Sequence, residues 1–338
     1  MSQSPNTLRW DGAPGHYEVY YLSLTDPESA VGLWIRYTML APLDQAEPAS
    51  CALWLMAMDP PGGEGVVFAR KQTLPISALS STTQPFSLQI GDACLDDHGM
   101  KGDFQDVSFD LSWKPGPKAY QHVHPVLSRA RIAKTVLELP HADLQVSGAV
   151  SFAGRELQLD RAPAGQAHLW GSKHAARWAW LHTNDLRTPD GERIEDSFID
   201  AVSVFVPRFG RQLGPSTPLV ARFDGRDFIS TSPARVLANR SRFGLTGWQL
   251  QASDGKRRLE LRVSAPRERL VGVTYQDPDG ERAYCYNTEV ASLEGSLSER
   301  AGKAVGGWSP IRRFNAAGAT HFEYAQRTPL PDVPLMLS

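Results

Sequence analysis

Between His168 and Asn184 the chain reads His-Leu-Trp-Gly-Ser-Lys-His-Ala-Ala-Arg-Trp-Ala-Trp-Leu-His-Thr-Asn, which places three of its nine tryptophans and three of its nine histidines in one short stretch. Imidazole transfers protons near neutral pH, and an indole face stabilises developing positive charge. A guanidinium such as that of Arg177 offers a planar pair of donors to a carboxylate or phenolate. Burial beside tryptophan disfavours the charged form of a histidine. Such groups suit a pocket for a bulky apolar molecule with one polar or reactive end. His168, His182 and Asp185 are the candidate proton donors or acceptors. Trp170, His174, Arg177, Trp178, Trp180 and Asn184 are candidate ligand contacts.

These groups need an element that lines them up. In an extended strand Trp178, Trp180, His182 and Asn184 share a face, so one wall grades from aromatic to hydrogen-bonding. The same tryptophans would serve equally as anchors packing two domains together, and Arg177 as an ion pair on a rim. Both readings stay open on sequence alone. Glu18, in the apolar-aromatic run Tyr17–Leu22, must face solvent, pair with a base, or stay protonated in a pocket. Glu323, between Phe322 and Tyr324, poses the same question.

The surrounding segments alternate with period two. Gly32–Tyr37, Ala52–Met56, Phe86–Ile90 and Val107–Trp113 are rich in β-branched and aromatic residues, and turn-forming Asp-Pro and Gly-rich pieces separate them. Asp-Gly pairs at 190–191, 224–225, 254–255 and 279–280 predict hairpins. The clearest are Trp248–Ala252 with Leu259–Val263, and Leu144–Phe152 with Glu156–Leu159. No long run has helical period. The fold class is therefore all-β, and the sequential hairpins favour antiparallel barrels. At 338 residues the chain exceeds the usual size of one core. Two halves of similar texture, 8–171 and 172–335, would place the His168–Asn184 stretch at a junction, where ligand clefts are favoured.

With 35 basic and 37 acidic residues the chain has no nucleic-acid footprint. Cys51, Cys94 and Cys285 are odd in number and widely spaced, which argues for a reducing compartment. The first residues lack a signal-like run, and no apolar stretch is long enough to span a bilayer. A cytoplasmic protein with no stable membrane insertion is expected; its oligomeric state is open. Nucleotide-binding P-loop, dinucleotide, nucleophile-elbow and zincin motifs are all absent, and no cofactor or metal is expected. His122 and His124 would share a strand face, but no third ligand accompanies them, so a solvated strand end is the expectation. His141 and His321 read as surface imidazoles.

Three stretches carry a resemblance: His16-Tyr17-Glu18-Val19-Tyr20-Tyr21-Leu22 with the turn at Asp26-Pro27; Val146-Ser147-Gly148, Gly154 and Gly165-Gln166-Ala167-His168-Leu169-Trp170-Gly171; and Arg177-Trp178-Ala179-Trp180-Leu181. They resemble the opening strand, the close of the first barrel and the start of the second in the lipocalin-like two-barrel proteins grouped with AttH, carotenoid 1,2-hydratase (hydroxyneurosporene synthase) and tocopherol cyclase. The resemblance implies two tandem calycin-type antiparallel barrels and a partner that is a hydrophobic small molecule. It also places Asn287 and Glu289 in a late strand at loosely matching positions. Where hydratase-like members often carry an Asp before the Trp-Gly motif, this chain has Ala167, which leaves Asp185, Glu18 and Glu289 as acids.

The reading is thus a lipocalin-like protein that binds an isoprenoid, polyketide or other lipid near the domain junction, with Glu18, Asn287 and Glu289 added to the candidate ligand contacts. Its alternatives are a cofactor-independent cyclase or hydratase acting by acid–base chemistry, and an accessory protein with filled barrels.

Overall fold

A computed structural model describes residues 4–123, 134–208, 211–300 and 307–338. The alternating runs form two large, almost wholly antiparallel sheets. In the first, Val67–Pro75, Ser50–Met58, Gly32–Ala41 and His16–Thr25 lie side by side. The long pair Arg155–Gly171 and Thr135–Phe152 follows, and then five short strands lead back from Val107–Trp113 to Leu79–Thr83. Pairing of the first strand with Arg155–Gly171, Tyr20 opposite His168, curls this sheet into a nearly closed barrel. The second sheet repeats the plan. Its opening strand Arg177–Thr183 lies between Phe198–Arg208 and the late strand Trp308–Gln326, which pairs in turn with Arg282–Arg300.

The hairpins follow local chemistry. Trp248 pairs with Val263 and Leu250 with Leu261. Ala153-Gly154 and Asp224-Gly225 turn their hairpins with positive φ at both residues, which glycine permits at the second position. Asp190-Gly191 instead turns a short loop closed by Thr188 N–H to the Glu192 carbonyl at 2.8 Å. The one α-helix among the described residues, Pro233–Ala238, begins with proline, whose missing N–H is no loss in a first turn. No helix among these residues is long and apolar enough to cross a membrane.

Alternation sorts the side chains into three layers. From the first strand, Tyr20, Leu22 and Leu24 fill the first barrel, while Tyr17, Val19 and Tyr21 point the other way. From Arg177–Thr183, Ala179 and Leu181 fill the second barrel, while Trp178 and Trp180 point outward from it. The outward faces meet in a shared apolar layer that includes Trp34, Trp54, Leu137 and Tyr275. Each large side chain buried there contributes roughly 2–3 kcal/mol. Strands covered on both faces lose polar alternation, which is why Tyr17–Leu24 is apolar almost without interruption.

Double coverage also corrects three expectations. His141 and His321 are buried rather than superficial, because the long strands that carry them are enclosed. Burial pushes the His141 imidazole down to about 4, and its Nδ1 accepts the Gly116 N–H at 3.2 Å. His122 is likewise buried, not a solvated strand end, with Nε2 2.7 Å from Asp200. His124 lies outside the described residues.

Candidate functional site

A cavity of about 530 Å³ opens within the shared layer. Val19 and Tyr21 from the first strand and Trp34 and Arg36 from the second form one side; Trp178, Trp180, Val202 and Tyr275 come from the second sheet. The Tyr21 and Trp180 rings meet edge to face at 5.4 Å. The segment joining the two sheets supplies His174, whose ring stacks on Tyr17 at 4.4 Å and lies 5.4 Å from Trp178. Asp277 fixes this histidine by accepting its backbone N–H at 2.9 Å and lying 2.6 Å from Nδ1. Burial alone would raise the Asp277 carboxyl, but the His174 contacts and Arg327 hold it below its ordinary value.

The polar groups of the layer form a buried chain. Asp200 is its hub: Oδ1 lies 2.7 Å from His122 Nε2, Oδ2 lies 3.0 Å from His182 Nδ1, and Trp180 Nε1 donates to both oxygens at 3.3 Å. Those donors outweigh the cost of burial and keep the Asp200 carboxylate below its ordinary range. His122 also lines the cavity, and its Nδ1 has no partner among the described residues. Beyond His182 the chain continues through His321, 6.3 Å away ring to ring, to Glu289, 2.6 Å from His321 Nδ1. Burial pushes Glu289 well up and His321 well down, so it disfavours the charged form of each. Glu323 lines the cavity and accepts the Trp178 indole N–H.

Arg36 is the unusual member. Only 6% exposed, its guanidinium lies 4.6 Å from the Trp34 ring and 4.5 Å from the Tyr275 ring. No described carboxylate lies within ion-pairing distance, and Nε and Nη1 are buried without an acceptor.

Of the residues expected from sequence, His174, Trp178 and Trp180 line this cavity, and His182 stands next to it through Asp200. Glu18 and His168 lie instead inside the first barrel. There Glu18 accepts the backbone N–H groups of Arg9 and Trp10 at 2.9 and 3.0 Å and the Tyr20 hydroxyl at 2.7 Å. His168 Nε2 stands 2.7 Å from Glu18, and its Nδ1 stands 2.9 Å from the Pro5 carbonyl. The pair ties the leading segment across the barrel. Trp170 lies beside His168 and under Arg9, 5.0 Å away. Arg177 packs over Phe205 at 4.2 Å. Asn184 donates to Asp143 and the Leu144 carbonyl, bridging the sheets at 2.9 and 3.0 Å. Asp185 pairs with Arg187 at 3.1 Å, and Asn287 donates to Cys285 Sγ at 3.5 Å.

Arg36 and Asp200 were missed by the sequence reading, although each left a signal. Each is a lone charge in a run that is otherwise apolar on both strand faces, Leu33-Trp34-Ile35-Arg36-Tyr37 and Phe198-Ile199-Asp200-Ala201-Val202. Tyr275 and Leu137 left none. A larger depression, about 1060 Å³, lies on the second sheet among solvent-facing groups such as Arg242, Gln249 and Arg262. Its open, charged lining does not suit an apolar ligand.

No protein-family profile matches the chain. The uncharacterized protein Rv0493c of Mycobacterium tuberculosis (strain H37Rv) is 31% identical over 305 residues, covering 88% of this chain and 86% of that protein. This chain belongs to its family. Uncharacterized protein MT0513 of strain CDC 1551 matches to the same extent. In three dimensions the chain is similar to the crystal structure of a Nitrosomonas europaea protein described as a putative AttH, with a TM-score of 0.56 over 97% of this chain and 100% of that one. At 12% identity the likeness is one of fold, and at that level it agrees with the AttH-like resemblance of the sequence.

Proposed function

We propose that the protein binds a hydrophobic small molecule, an isoprenoid, polyketide or other lipid, in the cavity between two lipocalin-like barrels that divide near Gly171. The observation that carries this reading is an apolar-aromatic chamber of about 530 Å³ with a few polar groups at its walls, the usual anatomy of a small-molecule site. Since the barrel interiors are packed with their own side chains, the junction is the better place for a ligand. The His122–Asp200 pair favours a second reading, acid–base chemistry on the bound molecule, because a carboxylate-held imidazole with a free nitrogen at the wall can accept or give a proton.

Fluorescence titration tests both, since Trp178 and Trp180 report on the cavity. Isoprenoid alcohols and polyenes are expected to quench the wild type saturably. Val202→Trp, which adds bulk to the chamber wall, is expected to weaken binding at least about tenfold, with thermal unfolding used to confirm that the variant is folded. If no member of such a panel quenches and purified protein yields no extractable lipid, the binding reading fails. Catalysis requires an extracted product of altered mass that disappears in Asp200→Asn while binding persists.

A further inference from the structure

We propose that the ligand is an amphipathic anion, an apolar chain ending in a carboxylate, and that Arg36 selects it. This rests on the binding reading above and adds the charge of the head group. Lys and Arg are seldom buried unless paired, because desolvating a cation is costly. Arg36 is buried on a cavity wall, yet no acceptor among the described residues meets Nε or Nη1. The nearby ring faces of Trp34 and Tyr275 stabilise the cation but do not satisfy its N–H groups as hydrogen-bond acceptors would.

The neighbouring acids are committed elsewhere. Glu323 holds the Trp178 indole, Asp277 holds His174 and Arg327, and Asp200 holds His122 and His182. None stands within 4.0 Å of Arg36, since no such ion pair occurs among the described residues.

The second observation is what lies behind Arg36. Together with Val19, His174 and Tyr275 it belongs to the walls of two chambers, the apolar one and another of about 450 Å³. The second chamber carries Lys71 and Arg282 as well, and no Asp or Glu side chain among the described residues lines it. Lys71 is partly engaged, donating at 2.8 Å to a main-chain oxygen of Ser338, the last residue of the sequence and itself part of this lining, and lying 4.2 Å from the Trp54 ring. The site therefore runs from an aromatic chamber to a cationic one, with an unpaired guanidinium between them. A carboxylate fits that fork of donors, while its hydrocarbon chain fits the chamber lined by Trp178 and Trp180.

The probe is cis-parinaric acid, a fluorescent polyene fatty acid, compared at pH 8 with the alcohol of the same chain. Wild type is expected to bind the acid at least about tenfold more tightly than the alcohol. Arg36→Met should abolish the preference for the acid over the alcohol, and Arg36→Gln should do the same. Neither variant should unfold at a lower temperature, because each removes an unpaired buried charge. Equal affinities in wild type, or a preference for the acid that survives in both variants, would overturn the role of Arg36 while leaving lipid binding intact. Failure of both probes to bind would overturn the two readings together.

Discussion

Glu18 and His168 show how a pair with catalytic chemistry can serve as a lock. Every oxygen of Glu18 is occupied by donors from the leading segment, from Tyr20, or from His16 and His168, so no face remains for a substrate. Burial would raise this carboxyl, but the hydrogen bonds from His16 and His168 outweigh it and hold the group down at about 2, against an ordinary 4.5. A depressed native value stabilises the fold above the unfolded value and loses that contribution as pH falls toward the native one. The lock should therefore supply on the order of 3 kcal/mol at neutral pH and lose it between pH 4.5 and 2. Urea unfolding of wild type and Glu18→Gln across pH 2–7 measures this. The difference between the curves should shrink steadily through the acid window; curves that stay parallel would show that the carboxylate carries no such load. At this scale the sequence exposed Glu18 as a charge in an apolar run, but its partners come from residues 9, 10, 16, 20 and 168, which no local pattern connects.

At the scale of elements, strands enclosed on both faces explain the chemistry of the layer. Thr135–Phe152 and Arg155–Gly171 bend through several register irregularities, and small residues let the sheets approach. A Cβ on Gly165 would stand 2.2 Å from His182 Nε2, and one on Gly32 would stand 2.5 Å from the Glu289 carbonyl oxygen. Gly165 thus sets how closely the first sheet meets the Asp200–His182 chain. Gly165→Ala should destabilise the protein by about 1–3 kcal/mol through overpacking. Gly244→Ala, where nothing lies within 4 Å, serves as a control expected to change little. Thermal unfolding compares the two, and equal transitions would mean that the close approach relaxes freely. Strands and hairpins were legible in the sequence because period two and Asp-Gly turns act over a few residues. The contacts of Gly165 and Gly32 were not, since a glycine's need for space depends on an element more than a hundred residues away in one case and more than ten in the other.

For the whole molecule, the two sheets share one apolar layer, so each leaves an uncovered face without the other. Residues 1–171 made alone should expose Tyr21, Trp34, Trp54 and Leu137, bind a hydrophobic dye and lack a sharp unfolding transition. Co-expression with 172–338 should restore cooperative unfolding. A first half that unfolds sharply and ignores the dye would show that the layer is dispensable to it. The sequence by itself determined the all-β class and most of the hairpins, because alternation and turn chemistry are local properties, and its composition singled out the stretch around Trp178 and Trp180. Only the tertiary structure decided which of its groups share a cavity. His168 faces into the first barrel and Trp178 into the layer between the sheets. The reason is that a strand fixes the side on which a residue lies, while what covers that side depends on the pairing and packing of segments far apart in the chain.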